Sequence, residues 1–195
     1  AAREPCVAAR LPFTWCDPPA ALEVAVIAAG LQAVSRETAM AADLTRFAEH
    51  AAAPAELVIE RVADVQGALR WRETFRVAHG APTSPNTARP RTFAPASYDE
   101  GEPLRLYSAH LRGMPVATAQ LFMGAGVAGV YCVATVPHAR RQGAGAAVTA
   151  AALRDARALG YYAGVLGATE MGASVYRGLG FAPCGELSEF VWEPQ

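Results

Sequence analysis

Six consecutive residues, Arg140-Arg141-Gln142-Gly143-Ala144-Gly145, have the types and spacing to hold an anion. The apolar run Val127 to Val136 leads into them through Pro137, and a helical pattern follows from about Gly145 to Leu159. A strand feeding a glycine-rich turn at a helix N-terminus leaves backbone N–H groups pointing outward, where the helix dipole also favours negative charge. Gly143 and Gly145 let the backbone approach a phosphate with no Cβ in the way. Arg140 and Arg141 add positive charge beside it. Three phosphate-binding readings compete. A P-loop needs G-x-x-x-x-G-K-[ST], which is absent. A dinucleotide fold needs G-x-G-x-x-G after the first strand, with an acid about 20 residues on. The third reading is a coenzyme turn placed late in the chain, after an antiparallel meander, and that is where this turn falls.

The elements around the turn are legible as patterns. Leu104 to Leu111 and Val116 to Met123 read as two strands joined by the turn Arg112-Gly113-Met114-Pro115, a hairpin. Val127 to Val136 lacks polar alternation and reads as a central strand buried on both faces. Pro137 ends it, since proline cannot donate to the ladder. In the helix that follows, Val148, Ala152, Ala156 and Leu159 share one face, with Arg154, Asp155 and Arg157 outside it. Gly160 suits its C-cap. Tyr162 to Leu166 reads as a strand and Ala173 to Gly178 as a short helix. Phe181 and Glu186 to Trp192 complete a hairpin-like pair. Upstream, Leu57 to Val62 reads as a strand and Val65 to His79 as a helix. The sum is a mixed sheet flanked by helices, in the α/β or α+β class. Gly80 to Pro103 is irregular, which points to a lid, a binding loop or a linker holding at most a short helix.

Bulk properties narrow the function further. The chain has 195 residues, 52% of them apolar, and a net charge of −1. That balance argues against a nucleic-acid partner and against a disordered chain. All 17 basic residues are arginine, so neither a Schiff-base lysine nor a P-loop lysine is available. The Ala and Arg bias suggests a bacterial coding sequence. Cys6, Cys16, Cys132 and Cys184 lack metal-ligand spacing, so no metal is expected and four reduced thiols in a cytoplasmic protein are. No run reaches the ~18 apolar residues of a membrane span, and the first residues lack a signal-peptide pattern.

Two elements together resemble the GNAT superfamily of N-acetyltransferases. Val133 to Val148 looks like that family's coenzyme motif, R/Q-x-x-G-x-G/A after the fourth strand. Val175-Tyr176-Arg177-Gly178-Leu179-Gly180-Phe181 resembles its Y-x-x-x-G-F element, in the expected order and with a helix and a strand between. The resemblance covers about Leu57 to the end and implies the GNAT fold, with acetyl-CoA as cosubstrate. It implies that Val133, Ala134 and Thr135 lie beside the pantetheine arm. A backbone N–H near Thr135 or Val136 would polarise the acetyl carbonyl. Arg140, Arg141, Gln142, Gly143, Ala144, Gly145 and Ala146 would enclose the pyrophosphate. Tyr176 would protonate the departing thiolate. Thr169 stands where many relatives carry a coenzyme-contacting Asn.

The proton acceptor is the weak point of the resemblance. Many relatives carry a Glu on the fourth or fifth strand, and neither strand here has one. Glu170 is the nearest acid, against its plainer role as a helix N-terminal charge. His110, at a strand end, is a second candidate. Cys132 reads as core rather than nucleophile. Tyr131 reads equally as cleft lining or as core alternation. Asp99-Glu100-Gly101-Glu102 reads as a solvated acidic loop, and Trp15, Trp71 and Trp192 as packing residues. The expected reaction is transfer of an acetyl group to a small-molecule or peptide amine, with no nucleic acid or membrane as partner and a homodimer compatible. The alternative is a GNAT-fold module that binds an acyl-CoA without catalysis.

Residues 1–53 read as an N-terminal extension and 54–195 as the GNAT domain. Within the extension, Leu11 to Cys16, a helix from Pro18-Pro19 to Ala29, Gly30, and strands Leu31 to Val34 and Ala39 to Leu44 repeat the order of elements from Tyr162 to the end. That order suits a degenerate half-copy of the same fold as well as an unrelated extension.

Overall fold

The computed structural model describes residues 13–16, 20–48, 51–80 and 98–192, with only the backbone described at 13–16 and 20. Its elements are β1 (Phe13–Cys16), α1 (Ala20–Ala28), β2 (Gln32–Asp43), β3 (Leu57–Arg61), α2 (Val65–Ala78), β4 (Leu104–Leu111), β5 (Met114–Gly124) and β6 (Val127–Thr135). A 3-10 turn (Pro137–Ala139), α3 (Ala144–Ala158), β7 (Ala163–Ala168), α4 (Glu170–Gly178) and β8 (Ala182–Trp192) complete the chain. They form two compact units, one of Ala41–Leu166 with Ser174–Ala182, the other of Ala1–Met40, Gly167–Ala173 and Pro183–Gln195. β2, β7 and α4 contribute residues to both.

The larger unit is built on the strand order β7-β6-β5-β4-β3. β3 to β6 form an antiparallel meander, with Leu57 opposite Leu111 and Leu104 opposite Phe122. β6 and β7 pair in parallel, Ala128 with Gly164 and Gly129 with Val165. Side chains alternate across the meander, so one face takes α2 and the other α3. On the α2 face Leu106, Val62 and Trp71 form a buried cluster, with Phe75, Tyr98 and Cys132 against it. The Trp71 indole N–H is shared between the carbonyls of Tyr107 and Ala119, at 3.0 and 3.1 Å. A buried Trp needs such an acceptor. On the α3 face the Tyr107 hydroxyl donates to Asp155 at 2.7 Å. Val148, Ala152, Leu153 and Ala156 are fully buried there.

Two details of α3 differ from the sequence reading. Asp155 points into the protein because it meets a buried phenol, whereas Leu159 is 50% exposed. Leu159 is the C-cap, past the last helical turn, so it no longer follows the helical face. β6 also departs from the expected two-sided burial. Ala128 to Val130 are buried, but Tyr131 is exposed, because the pairing with β7 lies at the start of the strand.

The smaller unit has the strand order β1-β8-β2, with β1 and β8 antiparallel and Phe13 opposite Trp192. Val26 of α1, Leu31 and Phe190 form its core, with Ala29 and Trp192 beside them. β2 is one twelve-residue strand rather than the two short ones expected, since Ser35 to Thr38 continue the ladder despite their polarity. β8 likewise runs unbroken from Ala182, and α4 begins at Glu170, three residues before its expected start. The expected Pro18-Pro19 helix start and residues 81–97 of the irregular loop lie outside the described residues. Arg61 Nη2 binds the loop's far end through the carbonyls of Tyr98 and Asp99.

β1-α1-β2 and β7-α4-β8 match at a shift of 150 residues. Both helices have nine residues. Gly30 donates to the Ile27 carbonyl and Leu31 to that of Val26, as Gly180 does to Arg177 and Phe181 to Tyr176. Gly30 and Gly180 have φ of 84° and 96°, the left-handed conformation that closes a helix. Val26 occupies in the first segment the place of Tyr176 in the second.

Candidate active site

The anion turn begins where β6 bends. Cys132 has φ of 52° and the register with β5 shifts at that point, Gln120 facing Tyr131 and Thr118 facing Ala134. An extra residue in one strand is a β-bulge, which re-aims the chain beyond it. Thr118 Oγ1 donates to the Cys132 carbonyl at 3.0 Å and pins the bulge. Beyond it come Val133, half-buried, Ala134, buried, and Thr135, half-buried. The Val136 N–H donates to Val116 of β5 at 2.9 Å. It is therefore committed, and is not the free donor that the sequence allowed. Successive N–H groups along a strand point to opposite edges, so the Thr135 N–H faces the edge away from β5.

The turn itself is braced from within. Arg140 Nε donates to the Thr135 carbonyl at 3.1 Å and its Nη2 to the Ala78 carbonyl at 2.7 Å. Arg140 thus ties β6 to the end of α2, a structural task added to its positive charge. Gln142 Nε2 donates to the His138 carbonyl at 3.1 Å, closing the turn on itself. Arg141 has φ of 63° and is exposed. A non-glycine residue held in that region stores strain that the surrounding structure must sustain.

Gly143 is the N-cap of α3, with φ of 83° and no side chain capping the helix. The N–H groups of Ala144, Gly145 and Ala146 belong to the first turn, which has no carbonyl of its own to bind. A Cβ on Gly143 would stand 1.9 Å from the Ala52 carbonyl oxygen, so Ala52 and Ala53 lie against the turn and only glycine fits. A Cβ on Gly145 would come 3.2 Å from Thr135 Oγ1 and 4.0 Å from Val133 Cγ1. The structure therefore brings Val133, Thr135, Gly143, Gly145 and the first turn of α3 to one place. An uncapped helix start, with glycines where backbone must come close, fits a pyrophosphate.

Tyr176 is buried in α4, its ring edge-on to Phe181 with centroids 6.1 Å apart. Its carbonyl accepts from Leu179 and Phe181, the bonds that end the helix. Thr169 is exposed and precedes α4. Its hydroxyl accepts from the Gly172 N–H at 3.2 Å, a capping bond. Glu170 is exposed in the first turn of α4, where a negative charge suits the helix dipole. His110 lies 4.0 Å from Glu60 on the neighbouring strand β3.

Burial holds the Cys132 thiol protonated, its pKa pushed up to about 11, which removes it as a nucleophile at neutral pH. Tyr131 is 47% exposed and its ring lies across Gly129, where a Cβ would collide at 2.6 Å. It lines an open face rather than the core. No cluster of potential metal ligands occurs among the described residues. The sequence reading missed two features. One is Ala52 against the turn. The other is Glu37, which falls in the gap left between two expected strands and lies in β2. A polar interruption carries no sign that the strand continues.

The family model for the acetyltransferase (GNAT) domain matches residues 32–173. Among solved structures the chain is similar to a GCN5-related N-acetyltransferase from Kribbella flavida, at 24% identity and a TM-score of 0.66, covering 98% of this chain and 72% of that one. It is also similar to a GCN5-related N-acetyltransferase from Sphaerobacter thermophilus, at 15% identity and a TM-score of 0.63, over 96% of this chain and 62% of that one. A third is a tandem GNAT protein from the clavulanic acid biosynthesis pathway, at 16% identity and a TM-score of 0.59, over 95% of this chain and 64% of that one. At these identities the likenesses speak to the fold. No curated protein matches the chain. With the family match spanning most of the chain and the GNAT fold around an uncapped glycine-rich turn, this chain belongs to the GNAT acetyltransferase family.

Proposed function

We propose that this protein transfers an acetyl group from acetyl-CoA to the primary amine of a small molecule or peptide, by direct attack of the amine on the thioester. The observation that carries this reading is the uncapped start of α3 behind left-handed Gly143, set against the bulged end of β6. Amide donors of Ala144, Gly145 and Ala146, with Arg141 beside them, suit the pyrophosphate. The backbone of Val133 to Thr135 suits the pantetheine arm, because its outer edge is turned away from β5. The Thr135 N–H is the donor placed to stabilise charge on the acetyl oxygen.

The amine nitrogen bonds to the acetyl carbon and the carbon–sulfur bond breaks. Tyr176 returns a proton to the sulfur. A phenol keeps its proton at neutral pH and can give it to a thiolate as it forms. Titration calorimetry should show acetyl-CoA binding to the wild-type protein, and binding should be lost in Gly143→Val. Release of free thiol should follow when a panel of primary amines is added. Tyr176→Phe should retain the coenzyme and lower kcat by about 10²-fold. Coenzyme binding with no thiol release from any amine would favour a non-catalytic acyl-CoA module.

The same reading takes residues 13–43 as a degenerate half-copy of the domain's last three elements. The matching bonds at a shift of 150 residues support it. With Val26 in the place of Tyr176, that copy has no phenol to offer as an acid.

A further inference from the structure

A buried carbonyl without a donor stands on the α2 face of the meander. Gln120 of β5 is 9% exposed, and its Oε1 has no hydrogen-bond partner among the described residues. A buried amide oxygen left unpaired costs stability that an apolar side chain of similar size would not. The register fixes the face. Gln120 lies opposite Leu106 of β4 and opposite Tyr131 of β6, and Leu106 packs with Trp71 of α2.

Beside Gln120 the same face is open. Tyr131 and Phe122 are 47% and 45% exposed. Phe122 is opposite Gly129, and the Tyr131 ring lies across that glycine. One carbonyl and two aromatic rings therefore share a floor. Leu106, Ser108, Thr118, Phe122 and Tyr131 surround Gln120 on it, and none is charged.

The floor is tied to the bulged strand by the chain itself. Thr118 pairs with Ala134, so Gln120 lies two residues along β5 from that pair, roughly 7 Å. Ala134 shares the face of Thr118. By alternation Val133 and Thr135 turn to the other face, where Gly145 of α3 approaches them. The glycine-rich turn thus lies on the α3 side and the aromatic floor on the α2 side, with the backbone of Val133 to Thr135 between them. All of these residues belong to the larger unit.

A carbonyl oxygen takes an N–H and repels an anion, and aromatic faces attract a cation or another ring. Residues directly opposite across a sheet have Cβ atoms about 5 Å apart. That matches the span from an amine nitrogen to an aryl ring two carbons away. We propose that this floor receives the substrate amine, that the amine is an arylalkylamine, and that its nitrogen donates to Gln120 Oε1 while its ring lies on Tyr131 and Phe122. The inference rests on the acetyl-transfer reading and narrows its substrate. The unpaired carbonyl is kept because the substrate pairs it.

The test compares wild type, Gln120→Leu and Tyr131→Ala. Thiol release is followed with acetyl-CoA and phenethylamine, glucosamine or a peptide N-terminus. Titration calorimetry adds phenethylamine to protein saturated with CoA. Wild type should prefer phenethylamine by more than about 10-fold in kcat/KM. Gln120→Leu should lower that kcat/KM by about 10- to 100-fold. It should also weaken phenethylamine binding, leave acetyl-CoA affinity unchanged and raise the melting temperature. Tyr131 is exposed, so Tyr131→Ala tests the floor without disturbing the core, and it should raise the phenethylamine KM by about 10-fold. An unchanged kcat/KM in Gln120→Leu would make the amide a structural group and overturn the assignment. A wild-type preference for the amino sugar or the peptide would overturn it too, with acetyl transfer still standing. No thiol release from wild type with any amine would overturn the acetyl-transfer reading and this inference with it.

Discussion

Two adjacent arginines with the same sequence role have different structural ones. The guanidinium of Arg140 bonds the carbonyls of Thr135 and Ala78, whereas Arg141 is exposed. Arg140→Ala should therefore lower both the melting temperature and acetyl-CoA affinity. The stability loss should be about 1–3 kcal/mol, since two carbonyls lose a charged donor. Arg141→Ala should weaken acetyl-CoA binding with little change in melting. Differential scanning calorimetry beside titration calorimetry separates the two, and equal melting losses would refute the distinction. Sequence spacing identified both arginines as turn residues. It could not divide their work, because the Ala78 carbonyl is 62 residues away along the chain.

At the scale of elements, the meander and α3 were legible because their apolar periodicity is strong. β4 matches its expected bounds, and α3 begins one residue early. β2 and β8 were read as fragments, since Ser35-Arg36-Glu37-Thr38 and Pro183-Cys184-Gly185 look like breaks. Pairing on a neighbouring strand overrides such local preference. The tie between β4 and α3 was not legible at all. Asp155 reads as an outward charge on the helical wheel, yet it accepts from buried Tyr107. Burial and this bond raise the Tyr107 phenol well above its usual range. Tyr107→Phe should lower stability by about 1.5–3 kcal/mol, the range for a hydrogen bond to a charged partner. Urea unfolding with an unchanged m-value would report that loss, and an unaltered midpoint would show the bond to be idle.

For the whole molecule, the bulge thiol gives a pH signature of folding. Burial raises Cys132 from 9.0 to about 11. The thiol is the neutral form, so the native state favours keeping its proton. The contribution is fully present below pH 9.0, the unfolded value, and is lost as pH rises through the folded value of about 11. The size is on the order of 2 kcal/mol. Stability relative to Cys132→Ser should therefore fall across that window. Parallel curves for the two proteins would place the thiol in water.

The glycine-rich turn, the central strand, and the order of the later elements follow from the sequence by itself. Each is a local consequence of glycine placement, apolar period or helix capping, and such signals act within a few residues. Tertiary structure decided what distant residues do to one another. It turned Arg140 into a clasp, committed the Val136 N–H to Val116, and set Ala52 against Gly143. It also carried Glu37 onto a strand 130 positions later, where a missing Cβ makes room for it. No local pattern encodes such meetings, because they depend on which strands become neighbours after the chain has folded.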